Sequence, residues 1–521
     1  MKHRRFRSVA AMTAIALLAG ACGSDRDSAD STTTAAPVPT TAAPATTTAA
    51  TTDETAASDT TAAGTVETED TAETETSETE TVDTESGTST ASTDTTDPDV
   101  PMFGEAPWPC GPAEGDNKDD GSEVGVTADS ITISGGDDAG YAGAPGLNHE
   151  VTDAIEALVA ECNELGGING RTINYNYFDA GIFNIGPAIQ GACDAQSFFL
   201  VGSAWSFDGN QEEARLGCGL PAVPTFSVSA AFAMGKDVYQ GVPNPADETP
   251  AGTFAMTSEL FPEAVKKIGV LAAAFSATQE SRDKVVEAAP AFGWGFSLTS
   301  LEYNPVGEAD WTPFVKQLQE AGSTAVYFSG GCLPNLQLFE QAALANGFDV
   351  PVFVDANFYE ADCAAANTDG AMDGMYTRMA FIPFEEADVN QATQDYVDLI
   401  EAADGDVSLL GAQATSSFLL WATAAAACGD TLTRACTLQN LADTHSWTGH
   451  GLHAETDPGG NHPPQCNITM HLAGTSYERV APEEPGTFTC DPSWIAPITS
   501  TTALAAAQLD ANRISQQFAV G

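Results

Sequence analysis

The sequence predicts an α/β protein of two doubly wound lobes joined by several crossings of the chain. Three observations carry that reading. From about Val124 to Arg479, strand-like and helix-like segments alternate at the spacing of repeated βα units. The alternation begins afresh near Lys267, and further extended and helical segments follow the second run. Units of this kind build parallel sheets covered by helices on both faces.

Each element follows from its residues. In the first run, SITISGGD (Ser130–Asp137) reads as a strand and LNHEVTDAIEALVAECNELGG (Leu147–Gly167) as a helix. TINYNYFD (Thr172–Asp179) is a strand, NIGPAIQGACDA a helix, SFFLVGSAW a strand, GNQEEARLGC a helix and LPAVPTFSV a strand. SELFPEAV is a helix leading to the second run. There, KIGVLAAAF (Lys267–Phe275) is a strand followed by a helix to about Phe292. GFSLTSLEY is a strand, DWTPFVKQLQEAG a helix and STAVYFSGG (Ser323–Gly331) a strand. A helix over Asn335–Gly347 precedes the strand PVFVDANF. GMYTRMAFIPF (Gly374–Phe384) is extended, two helices follow, and CNITMHLAGTSYERV is a hairpin.

The stretch NELGGINGRTINYNYFDA (Asn163–Ala180) contains glycines that invite comparison with a dinucleotide-binding loop. Such a loop follows a strand and opens a helix, so that a pyrophosphate sits on the helix N-terminus. Here a helix ends at Gly166-Gly167 and a strand begins after Asn169-Gly170-Arg171. The glycines suit a left-handed helix end and a tight turn, so the stretch is a corner.

The folded part is preceded by segments of another character. Residues 1–21, MKHRRFRSVAAMTAIALLAGA, combine a basic start, a short apolar run and small residues, the pattern of an export signal. Leu17-Leu18-Ala19-Gly20-Ala21-Cys22 is similar to a bacterial lipobox, although Ala19 stands where Leu is the stronger match. Cys22 is therefore the expected lipidation site and membrane anchor, with cleavage by an ordinary signal peptidase as the alternative. Residues 22–100 are almost entirely Thr, Ala, Ser, Glu, Asp and Pro, and cannot offset the entropy of ordering. They form a disordered tether with an end-to-end distance of about 50 Å.

The formal net charge is −55, and Lys plus Arg number only 18. Few cations are available to neutralise phosphates, which opposes nucleic-acid binding. If Cys22 carries lipid, ten of the eleven cysteines remain, an even number in an exported chain, and five disulfides are expected. The short loop CGDTLTRAC favours Cys428–Cys436. Cys466–Cys490, Cys332–Cys363 and Cys193–Cys218 follow as neighbours, leaving Cys110–Cys162. Sequence alone does not fix this connectivity. No CxxC occurs, so zinc and redox motifs have no support.

The order of elements resembles the type I periplasmic binding proteins, specifically the branched-chain amino-acid (Leu/Ile/Val) binding group of ABC transporters. The resembling pieces are ITISGGDDAGYAG, the helix running into GGINGR, the strand ending at Asp179, VYFSGG and LTRACTLQNLAD. They span roughly residues 125–480. The resemblance implies two Rossmann-like lobes with a ligand cleft between them and several hinge crossings. Lobe one is then 101–250, with part of 374–480 returning to it, and lobe two is 251–373. Crossover helices and a C-terminal hairpin occupy 374–490, and 491–521 form a tail.

In open α/β sheets ligands lie beyond the carboxyl ends of the strands, so the strand-to-helix loops are the candidate site. In lobe one these are Asp137–Tyr141, Gly202–Trp205 and Ser227–Ser229. In lobe two they are Phe275–Thr278, Ser329–Cys332 and Asp355–Phe358. Tyr141, Ser203, Ala204, Trp205, Ser227, Ser229, Asp355 and Asn357 are the candidate ligand-binding residues. Ser203 and Ser229 offer hydroxyls, and nearby free backbone N–H groups favour an anion. Trp205 could stack on a ligand and Tyr141 close over it, while Asp137 and Asp138 read as turn or solvated residues. The resemblance implies the same loops for an amino-acid carboxylate, and an acid of lobe two, near Asp355, for the ammonium. The aromatic residue that the family pairs with that acid is absent from SGGCLPN, where Cys332 and Leu333 stand.

The resemblance thus implies an exported binding protein at the outer face of the cytoplasmic membrane or in the cell envelope. Its expected partners are a small ligand, an amino acid or amide, and an ABC permease and ATPase complex. No catalysis, cofactor or metal is expected. A surface sensor using the same cleft is an alternative. A metal enzyme is the other rival, because His445, His450, His453 and His462 crowd into HSWTGHGLHAETDPGGNH. They form no HExxH pattern, and GxSxG, P-loop and paired-carboxylate motifs are absent.

Overall fold

Four parallel strands make the first sheet, in the order Thr172–Tyr177, Ser130–Gly135, Phe199–Val201, Ala222–Val223. The structure is a computed structural model that describes residues 100–119 and 121–519; the export signal, Cys22 and the tether up to residue 99 lie outside the described residues. The second sheet runs Ser476–Ala481, Cys466–Ala473, Met375–Met379, Val352–Val354, Ala325–Ser329, Ile268–Ala273, Phe296–Tyr303. Its last five strands in this order are mutually parallel, and the hairpin pairs antiparallel with them. Ile268–Ala273 is buried at every position, as expected of an uninterrupted apolar run covered on both faces.

The chain crosses between the lobes repeatedly. After Met375–Met379 it returns to the first lobe, where helices Gln391–Ala402 and Leu409–Ala426 pack on helix His149–Glu164. Leu409–Ala426 is apolar around nearly its whole circumference, the composition of a helix buried on all sides. Ser408 caps it, accepting a hydrogen bond from the Gly411 N–H at 2.9 Å. The hairpin then carries the chain back to the second sheet. Among the described residues no helix is long and apolar enough to cross a membrane.

Some elements are shorter than the sequence suggests, for local reasons. Pro221 and Pro224 bracket the strand in LPAVPTFSV, leaving only Ala222–Val223 paired. GNQEEARLGC divides into a 3₁₀ turn, Asp208–Gln211, and a helix, Glu212–Gly217. In SELFPEAV the helix Gly252–Leu260 stops before Pro262, and a 3₁₀ turn over Ala264–Lys267 enters the second sheet. The tail is ordered: Ile495–Pro497 pairs antiparallel with Glu248–Pro250, and helix Thr502–Ala507 packs on the short helix Ala230–Ala233.

The corner forms as its residues require. Helix His149–Glu164 ends ahead of Gly166 and Gly167, whose φ values are 114° and 77°. A Cβ on Gly167 would lie 2.1 Å from the Arg171 carbonyl oxygen. Arg171 itself is fully buried, and its guanidinium donates to the carbonyl oxygens of Thr127 (3.0 Å), Asp430 (2.8 Å) and Gly429 (3.3 Å). It ties the corner to the loop closed by Cys428 and Cys436. The cysteines form the bonds Cys110–Cys162, Cys193–Cys218, Cys332–Cys363, Cys428–Cys436 and Cys466–Cys490.

Candidate ligand-binding cleft

The carboxyl ends of the two sheets face each other, and the loops there are held by buried acids. Asp137 and Asp138 are both fully buried, not solvated. Asp137 accepts from Tyr177 (2.7 Å), Thr152 (2.5 Å) and the Ala139 N–H (2.9 Å), and pairs with His149 (2.9 Å). Asp138 accepts from the N–H groups of Ile182 and Ser206, each at 2.7 Å, and so fixes the start of the loop carrying Phe207 and Asp208.

Asp208 fixes the opposite loop. Its carboxylate accepts from two consecutive backbone amides, Val228 at 2.6 Å and Ser229 at 2.9 Å. From the second lobe, Glu280 on helix Ser276–Ala288 crosses the cleft and accepts from the Ala230 N–H at 3.2 Å. Lys284, one turn along, donates to the Pro245 carbonyl oxygen at 2.6 Å and to Asn244 at 3.1 Å. Phe207 meets Phe275 of the second lobe edge-on, with ring centroids 6.2 Å apart.

Two small cavities lie side by side here. One, of about 50 Å³, is lined by Phe207, Asp208, Val228, Ser229, Ser276 and Glu280 among others. The second, of about 10 Å³, shares Val228, Ser229 and Glu280 and adds Asn244, Lys284, Thr501 and Ala503. Together they have room for a few waters. The lobes must separate before a solute can enter.

Of the residues singled out from the sequence, Ser229 lines both cavities, and its hydroxyl also caps helix Ala230–Ala233 by accepting from Phe232 N–H at 3.3 Å. Tyr141 is half-buried and packs edge-on against Phe183, which stacks on Phe207. Trp205 is a correction. It is 1% exposed inside a core cluster with Leu200, Ala222 and Phe232, and its indole N–H donates to the Phe178 carbonyl oxygen, so it presents no face to a ligand. Ser203 and Ala204 are buried, their backbones tied to Thr225 and Gly136. The Ser227 hydroxyl donates to Gln240 at 2.6 Å within its own lobe.

Asp355 accepts from Tyr327 (2.6 Å), Ser281 (3.1 Å) and Arg378 (3.1 Å), all of the second lobe, and Asn357 donates to the Gly330 carbonyl oxygen. Neither lines the cavities. The residues that do, Asp208, Glu280 and Lys284, escaped sequence reasoning because each looks like an ordinary helix-start or helix-surface residue. Asp208 carried the one available signal, an acid placed just ahead of a helix.

The histidines of residues 445–462 do not converge. His445 pairs with Asp457, His462 with Glu248 and His453 with Ser416, at 2.8, 2.7 and 2.7 Å. Among the described residues no group of three or more His, Cys, Asp or Glu is arranged to hold a metal ion.

Burial gives the fold a pH dependence. It pushes Glu150 and Glu360 up to about 7 and Glu340 to about 8. These groups favour the fold when protonated. Their contribution is complete below the ordinary carboxyl range and is lost as pH rises through 7 to 8. His450 and His453, pushed down to about 4 by burial, act oppositely below pH ~6.5 but are fewer. The unfolding midpoint is expected to be several degrees higher at pH 5.5 than at pH 8. Thermal melts across that range check this, and a midpoint that is flat or rises toward pH 8 contradicts it.

The model of the periplasmic binding protein family matches residues 137–475, well over half of the chain. The chain belongs to the periplasmic binding protein family. The match spans both lobes of this binding protein, and the ordered tail lies beyond it. No curated protein matches the sequence. Solved structures share the fold at low identity. A fatty acid ABC transporter substrate-binding protein from Thermomonospora curvata is 16% identical with a TM-score of 0.57, covering 70% of this chain and 98% of its own. A branched-chain amino acid transporter substrate-binding protein from Streptococcus pneumoniae, in complex with isoleucine, is 16% identical with a TM-score of 0.55, covering 67% and 99%. An ABC transporter solute-binding protein from R. palustris, in complex with 4-hydroxybenzoate, is 13% identical with a TM-score of 0.54, covering 70% and 96%.

Proposed function

We propose that this binding protein is the extracytoplasmic solute-binding component of an ABC importer, held to the membrane through lipid on Cys22. It takes a small polar solute of amino-acid size, an amino acid or related amide, between its lobes and presents the closed form to a permease with its ATPase. The observation that carries this reading is the cleft: strand-end loops of both lobes meet across it, and Ser229 from one lobe and Glu280 from the other line the same cavity. The several crossings between lobes suit hinge closure, in which a solute binds the closed state in preference to the open one. Neighbours of similar fold are named for fatty acid, isoleucine and 4-hydroxybenzoate, so the fold does not select the solute.

The test is thermal unfolding of the oxidised protein against amino acids, amides, amines, short peptides, fatty acids and aromatic acids. A solute at ~100 times its dissociation constant stabilises the fold by about 2.7 kcal/mol, and one chemical class is expected to raise the midpoint. A flat response to the whole set rejects the reading. In cells, Cys22→Ala is expected to move the protein from the membrane fraction to the medium.

A further inference from the structure

A carboxylate of the protein itself lines the larger cavity of the cleft. The amides of Val228 and Ser229, residues of the loop after the fourth strand of the first sheet that line both cavities, are two adjacent donors suited to one carboxylate. Asp208 fills that seat from within the protein, one oxygen to each amide, at 2.6 and 2.9 Å. Both oxygens of the carboxylate are thereby engaged, and hydrogen bonds from amides to an ionised carboxylate are the strong ones. Asp208 is 1% exposed, so water has little access to the pairing. The next amide, Ala230, is taken by Glu280 from the other lobe.

We propose that the solute of this cleft has no free carboxylate beside its polar head, and that the head is a cation, a primary amine or guanidine, received between Asp208, Glu280 and the Phe207 ring. The inference rests on the solute-binding reading above and departs from it in the class of solute, an amine or guanidine in place of an amino acid or amide.

Three features of the cavity agree. An incoming carboxylate would have to displace Asp208 from both amides and would then lie against two like charges, a juxtaposition that costs affinity. A cation meets the reverse situation. Of the charged groups lining the cavities, Asp208 and Glu280 are acidic and Lys284 is basic, and Lys284 is already engaged with Asn244 and Pro245. Phe207 lines the larger cavity and belongs to a string of rings, Tyr141, Phe183, Phe207 and Phe275, that runs from one lobe to the other. Such faces attract ammonium and guanidinium groups.

The test uses matched pairs that differ only in the carboxylate: leucine and isopentylamine, phenylalanine and phenethylamine, arginine and agmatine. Binding is measured by calorimetry on the oxidised wild-type protein and on Asp208→Ala and Glu280→Gln. In the wild type at least one amine is expected to bind tenfold or more tighter than its parent amino acid. Asp208→Ala frees the two amides and is expected to improve amino-acid binding by tenfold or more. Should that variant fail to fold, Glu280→Gln stands in, with a tenfold loss for the amine expected. Amino acids that bind the wild type as tightly as their amines overturn this inference and leave the binding function intact. No binding by any pair member, with no gain in Asp208→Ala, also overturns it. The binding function falls only if the wider solute set is silent as well.

Discussion

Replacing Arg215 by leucine is expected to cost about 3–5 kcal/mol of stability, the usual consequence of stranding one partner of a buried ion pair. Arg215 and Glu212 are one turn apart on helix Glu212–Gly217, with side chains 1% and 2% exposed. The guanidinium gives two hydrogen bonds of 2.6 Å to the Glu212 carboxylate, one of 2.7 Å to the Leu220 carbonyl oxygen and one of 2.6 Å to that of Lys236. It also lies over the Phe232 ring, 5.9 Å from its centroid. One side chain thus joins the helix, the entry to strand Ala222–Val223 and the turn after helix Ala230–Ala233. These segments frame the loop that carries the Val228 and Ser229 amides.

With leucine at 215, Glu212 keeps its charge in a dry place and two carbonyl oxygens lose their donors. Removing both charges, as Glu212→Met with Arg215→Leu, is expected to recover much of the loss, because an apolar pair of similar volume removes the uncompensated charge. Urea denaturation of the single and double variants decides the matter. A single variant within 1 kcal/mol of the wild type shows that water reaches Glu212 and that the pair does not hold the loop.

How far the sequence disclosed this protein depends on the kind of information required. The second sheet was legible because it contains runs such as IGVLAA and AVYFS, whose burial on both faces leaves an apolar signature, and the first because TINYNY and SITISG alternate in the period of a strand. The corner at GGINGR was legible because only glycine and asparagine tolerate its left-handed geometry, seen at Gly166, Gly167, Asn169 and Gly170.

The site was less so. A tryptophan in a strand-end loop reads equally well as a stacking surface or as core, and only the packing of Trp205 against Leu200 and Phe232 separates the two. Asp355 was expected to meet the ligand, but its carboxylate is taken up by Tyr327, Ser281 and Arg378, which come from three different elements. Long-range polar pairing of that sort has no period and no local motif. The same is true of Asp208 on Val228 and Ser229, an interaction across about twenty residues that no spacing rule anticipates.

The second large effect is expected from removing the tail. A chain ending at Asp491 is expected to lose several kcal/mol and to exchange solute faster than the intact protein. The tail lies beyond the family match, yet it holds both lobes. Its strand Ile495–Pro497 pairs with the Glu248–Pro250 crossing. Thr499 and Ser500 donate from backbone and hydroxyl to Glu287 of the second lobe, at 2.6–3.2 Å. Helix Thr502–Ala507 then covers Ala230 and Met234 of the first lobe, and Arg513 makes a two-pronged pair with Asp247.

The apolar part dominates the energetics. Ile498 is 2% exposed and Ala507 fully buried, and burial of one Ile-sized side chain alone is worth about 1.5–3 kcal/mol. The Arg513 pair is part-exposed and adds at most about 1 kcal/mol. Thr501 and Ala503 also wall the smaller cavity, so the truncation opens the cleft on the side next to Lys284. Glu287→Gln weakens only the polar part of the anchor on the second lobe, leaving Ala496 and Ile498 packed there, and is expected to keep stability within 1 kcal/mol while speeding solute release. Unfolding midpoints and stopped-flow release rates for the two variants separate the tail's packing role from its hold on lobe motion. If the truncated chain melts with the wild type and releases solute at the same rate, the tail is a passenger on the first lobe.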